Sequence, residues 1–121
     1  MKLIILLSLL LTGCLNNDDG EVSSGGGIDG IDIAPNAVDT YLLAATKYNF
    51  TGIRRIIFYN TGENIWMQYN PSKNEIKINP QWHSRKSLEE NACALVHELA
   101  HHNGADEPEA YAEYHQCLRV I

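Results

Sequence analysis

His97-Glu98-Leu99-Ala100-His101 constrains this chain more than any other stretch. On a helix it places two imidazoles at i and i+4, one above the other on a single face, with a carboxylate one position round from the first. That is a divalent-metal site with a general base beside it. The flanks favour the helix. Ser87-Leu88-Glu89-Glu90 has the Ser-x-x-Glu spacing of a capping box, and Gly104 supplies a left-handed stop, so the helix is expected from about Leu88 to Asn103. Leu88, Ala92, Leu95, Val96 and Leu99 give it a broad apolar face for burial.

A catalytic zinc takes three protein ligands and leaves one position for water, so a third ligand is required. Glu107, Glu109 and Glu113 follow the helix, and Pro108 suits the first turn of a second one. A loop of only about Gly104 to Glu107 sets the two helices roughly antiparallel. Facing residues in such a pair have numbers of constant sum. Pairing His101 with Glu109 therefore also pairs His97 with Glu113 and Cys93 with Cys117. On this register Glu109 is the expected third ligand, Glu113 bonds the far nitrogen of His97 and fixes its tautomer, and Cys93 and Cys117 form a bridge below the metal. Glu107 is the alternative third ligand.

The chain resembles a gluzincin metallopeptidase, in which the His-Glu-x-x-His helix is followed by a second helix giving a glutamate ligand and, four residues on, an acidic partner for the first histidine. Glu109-Ala110-Tyr111-Ala112-Glu113 is similar to the glutamate helix of the thermolysin-like family, which commonly has aspartate where this chain has Glu113. The resemblance implies that His97, His101 and Glu109 bind one zinc ion and that Glu98 is the base. It covers about the last thirty-five residues. The interhelix loop is shorter than in the large gluzincins, and the subdomain that supplies their oxyanion-stabilising His or Tyr has no counterpart, so small single-lobed forms are the better comparison. A second resemblance competes. His97-Glu98-x-x-His101-x-x-Gly104-x-x-Glu107 has the metzincin spacing, although metzincins put His or Asp at the last position and follow it with a methionine turn, whereas Met1 and Met67 both come earlier.

Ahead of this lies a short apolar run, Leu3 to Leu11 relieved by Ser8, then Leu11-Thr12-Gly13-Cys14. The run is too short to span a bilayer and suits a secretory signal over residues 1–13, and its end resembles the bacterial lipobox. That resemblance implies lipidation of Cys14 and a lipid-anchored location in the bacterial envelope, with outer-membrane sorting if the source is Gram-negative. Residues 14–33, rich in Asn, Asp, Ser and Gly, are expected as a flexible tether. Residues 34–121 are expected as one small domain, for which a bridge and a metal both matter to stability. With one cysteine given to lipid, an even pair remains in an oxidising setting.

The fold expected for 34–121 is α+β and zincin-like: one supporting helix, a small three-stranded antiparallel sheet, the active-site helix and the antiparallel glutamate helix. Asn36 to about Tyr48 is the supporting helix, with Val38, Leu42, Leu43 and Ala45 buried. The strands are Arg54 to Tyr59, Ile65 to Tyr69 and Glu75 to Asn79, separated by turns at Thr61-Gly62-Glu63 and Asn70 to Asn74. Asn64 to Tyr69 is the candidate for an open edge that pairs with a substrate backbone. Pro80 to Lys86 is a connection in which His83 is incidental.

The chemistry expected of such a site is peptide hydrolysis by metal-activated water, with Glu98 relaying a proton to the leaving amine. Tyr111 and Tyr114 are expected in the core, and no residue is assigned to the oxyanion. Nine Lys and Arg against fifteen Asp and Glu leave a net charge of -6 and no basic stripe, so nucleic acid is not an expected partner, and peptides or proteins are. Two other classes fit: a zinc-binding envelope lipoprotein without catalysis, and a zinc amidase acting on cell-wall material.

Overall fold

The computed structural model describes residues 27–121. The expected signal segment 1–13, the lipidation site Cys14 and the tether up to residue 26 lie outside the described residues. In chain order the elements are β1 (Gly27–Ile28), β2 (Ile31–Ile33), a 3-10 turn (Pro35–Ala37), α1 (Val38–Ala45), β3 (Arg55–Phe58), β4 (Met67–Asn70), β5 (Glu75–Ile78), α2 (Pro80–Arg85), α3 (Leu88–His102) and α4 (Glu107–Val120). The class is α+β, but the sheet is not the expected three-stranded antiparallel meander. It has five strands in the order β1-β2-β3-β5-β4, parallel between β2 and β3 and between β3 and β5, and antiparallel at both edges.

The reason lies in β3. Ile56 and Ile57 point to opposite faces and both are fully buried, which requires cover on both sides and strands on both edges. β5 meets that need by pairing directly with β3, and the connection after β3 carries the chain past it to β4, the outer edge. The hairpin between β4 and β5 forms as its turn residues predict.

On the other side of β3 stands β2, drawn from the stretch expected to be tether. Ile31 and Ile33 are buried in the core with Asp32 between them facing out, a short period-2 strand. Asp29 and Gly30, at φ 55° and 81°, make the two-residue turn that joins it to β1.

α1 turns Thr40, Tyr41 and Ala44 inward, while Leu42, expected to be buried, is 45% exposed. α2 replaces the expected irregular connection, with Asn79 accepting a bond from Gln81 N at its start and Pro80 in its first turn. α3 has both capping-box bonds, Ser87 N to Glu90 and Glu90 N to Ser87, each 3.0 Å. Ala92, Cys93, Leu95, Val96 and Leu99 are its buried face, and Leu88, in the first turn, stays exposed. The Cys93–Cys117 disulfide joins α3 to α4, with both residues fully buried and Cα atoms 5.5 Å apart. Closing a loop over 24 positions, it contributes about 3 kcal/mol in the chain-entropy model.

Candidate metal centre

His97 and His101 stand on one face of α3 with ring centroids 5.0 Å apart. The chain then reverses. Gly104 takes φ 96°, which an L side chain adopts only under strain, and Ala105 N donates to Ala100 O at 2.9 Å. This reversal brings the Ala105 carbonyl 3.0 Å from His101 Nδ1. A carbonyl can only accept, so Nδ1 carries a proton there, and Nε2 is the nitrogen that faces the cleft.

The same reversal delivers Glu107. Its Oε1 lies 2.7 Å from His97 Nε2 and 3.0 Å from His101 Nε2. One ligand atom from each of the three residues lies within 4.8 Å of the others, so the group could hold a metal ion. The set of two imidazoles and one carboxylate is one that zinc accepts.

Glu109, the expected third ligand, is elsewhere. Asp106 caps α4 by accepting from Glu109 N at 3.0 Å, and the Glu109 carboxylate accepts from Asp106 N at 2.9 Å. Glu109 and Glu113 line a separate hollow with Tyr48, Leu99 and Asn103, so Glu113 is not the partner of His97. The physical reason is rotation. Four residues advance about 40° beyond a full turn, so a row of i, i+4 positions winds round its helix. On facing helices the two rows diverge to opposite sides. Cys93 and Cys117 meet as the register predicts, but by the last turn of α3 the histidines have moved to the cleft side and Glu109 to the other. The signal that could have identified this is Asp106-x-x-Glu109, a capping-box spacing that engages Glu109 and leaves Glu107 at the first helical position.

Glu98 sits beside the cluster, its Oε2 3.8 Å from His97 Nε2. It is 8% exposed, and burial pushes its carboxyl up to about 7 despite His101 and a hydrogen bond from the Tyr69 backbone, which act in the other direction. Burial also lowers His97, assisted by the His101 charge and opposed by Glu107. His101 is lowered by burial, but its bonds to Ala105 and Glu107 outweigh that and leave it raised. The bond from His101 and the fields of both imidazoles hold Glu107 below the usual carboxylate range.

These groups open into a cleft of about 520 Å³ between α3, α4 and the edge strand β4. Trp66 O accepts from Asn79 N, which fixes the phase of the antiparallel ladder. The backbone groups of Met67 and Tyr69 therefore point to the open edge, and Tyr69 N–H is the one that meets Glu98. Asn64 to Tyr69 all line the cleft.

Comparison with known proteins finds no matching family model, curated protein or solved structure.

Tyr111, expected in the core, is 58% exposed, its ring centroid 6.1 Å from that of His97. Tyr114 packs against the core as expected, and both tyrosines line the cleft. His83 is remote from the metal group and hydrogen-bonds Thr40 Oγ1 at 2.9 Å, with burial lowering its pKa. His102 turns its Nδ1 to the Tyr69 hydroxyl, 2.7 Å away.

Proposed function

We propose that this chain is a zinc-dependent endopeptidase in which His97, His101 and Glu107 hold the metal and Glu98 is the general base. The observation that carries the reading is Glu98: a buried carboxyl whose Oε2 lies 3.8 Å from His97 Nε2, next to a three-member candidate ligand set in an open cleft. A structural zinc site has four protein ligands and no need of such a neighbour.

His97, His101 and Glu107 would hold zinc, which would supply Lewis acidity towards a water and a carbonyl. Glu98 would take the proton from the attacking water and hand it to the leaving amine. The Tyr69 N–H bond orients that carboxylate, and Ala105 orients His101. The open backbone groups of Met67 pair with an extended substrate without asking for a particular side chain. Lipidation at Cys14 would hold this domain at the bacterial envelope.

The test is a peptide library incubated with the zinc-loaded chain, with and without chelator, and with Glu98→Gln. Cleavage is expected only from the zinc-loaded wild type, with a loss of about a hundredfold or more in Glu98→Gln at full zinc occupancy. Cleavage by Glu98→Gln at the wild-type rate removes the base and with it this reading.

A further inference from the structure

Among the residues lining the metal cleft, the ionisable acids are Glu98 and Glu107, both beside the histidines, and the one lysine or arginine is Lys86. Lys86 caps the C-terminal end of α2, and its ammonium rests on two indoles, 4.9 Å from the Trp66 ring centroid and 5.5 Å from that of Trp82. Arg85 adds a second cation at Trp82, 5.4 Å from that ring. Contact with ring faces holds the ammonium still yet leaves its hydrogen-bond donors unused. Among the described residues no carboxylate lies within 4.0 Å of Lys86 Nζ and no hydrogen bond from it is formed. Glu90 is near enough to be lowered by its field, but that carboxylate accepts from Ser87 N.

From Lys86 an aromatic wall leads back to the metal group. Trp66 packs edge-on to Tyr114 at 6.0 Å, Tyr114 stacks on Tyr111 at 6.2 Å, and Tyr111 meets His97 at 6.1 Å. One end of the cleft thus offers a metal-binding group and a base, and the other a fixed cation.

We infer that Lys86 is a specificity residue that selects ligands carrying a carboxylate, placed along the cleft from the scissile bond. This rests on the peptidase reading for its name of substrate class, peptides, but the recognition itself is measurable without turnover. The carboxylate is either an acidic side chain or the C-terminus of the peptide.

Trp66 and Trp82 are the only two tryptophans in the chain, and both touch Lys86, so their fluorescence reports on that end of the cleft directly. Extended peptides are titrated into the zinc-loaded full chain carrying Glu98→Gln, in matched forms: Glu or Gln at a scanned internal position with an amidated end, and a neutral sequence with a free or amidated end. A tighter Glu form identifies side-chain recognition, and a tighter free end identifies the C-terminus. About fivefold tighter binding of a carboxylate form is expected, falling with added salt. Lys86→Met, which keeps an apolar stem against the indoles, is expected to abolish the preference, and Lys86→Glu to reverse it in favour of lysine-containing peptides. Equal binding of acidic and neutral forms by wild-type Lys86, or a preference unchanged in Lys86→Glu, overturns the inference. Discrimination by Lys86 without cleavage by the Glu98 protein fails the peptidase reading alone, and cleavage that ignores Lys86 fails this inference alone.

Discussion

His97 Nε2 stands 2.7 Å from Glu107 Oε1, across two helices joined by the four residues between His102 and Glu107. That contact closes the candidate ligand group, and a glycine turn and a helix cap lead up to it. Each can be removed separately.

Glu107→Ala removes a candidate ligand, whereas Glu109→Ala removes half of a capping box. Glu107→Ala should weaken zinc binding by at least about a hundredfold in competition with a chromophoric chelator, a larger loss than outer-shell changes produce. Glu109→Ala should leave zinc affinity within a few-fold and cost about 1 kcal/mol in urea unfolding. The opposite order would return the third-ligand role to Glu109.

Gly104→Ala tests the turn. An added methyl meets no atom within 4 Å, so any cost comes from holding φ at 96°. A loss of about 1–2 kcal/mol in stability is expected, together with weaker zinc binding as Glu107 shifts. Unchanged values in both measurements would show that the turn does not need glycine.

The Glu98 carboxyl gives a pH-dependent stability with a definite sign. Unfolded, it ionises near 4.5; in the metal-free fold it keeps its proton up to about 7. Below pH 4.5 both states hold the proton and the residue costs nothing. Between the two values the folded state binds more protons, so stability falls as pH rises, by about 3 kcal/mol in total by pH 8. Metal-free Glu98→Gln should therefore be more stable than wild type at pH 8 and equal to it at pH 4, as read by urea midpoints. A difference independent of pH would mean that the buried charge is not its source.

Cys93→Ser with Cys117→Ser should lower stability by about 3 kcal/mol through the loss of the closed loop. The paired thiols lie outside the ligand group, so the fraction that remains folded should bind zinc as tightly as wild type. A loss of zinc affinity in that folded fraction would show that the bridge sets the helix register at the metal.

Much of the site was legible because it is local. The His97, Glu98 and His101 placement, the Ser87 cap, the Gly104 stop and the Pro108 start are fixed by spacings within a single helix turn, where backbone geometry leaves little choice. The Cys93–Cys117 pairing was legible from helix order and loop length. The Asp29-Gly30 turn and the alternation Ile31-Asp32-Ile33 were also written locally, but were masked by a glycine-rich and polar neighbourhood.

What tertiary structure alone decided was which faces met. A number register between two helices gives height along their axes and not azimuth, so it located the disulfide and misplaced Glu109. The order of the strands was equally out of reach: β5, with Ile76 and Ile78 fully buried, lies inside the sheet and β4, with Gln68 exposed, at its edge, a difference set by packing on both faces of the sheet. Whether Tyr111 faced core or cleft, and that Lys86 came to rest on both indoles beside the metal group, depended on packing between residues far apart in sequence, where no local spacing carries the information.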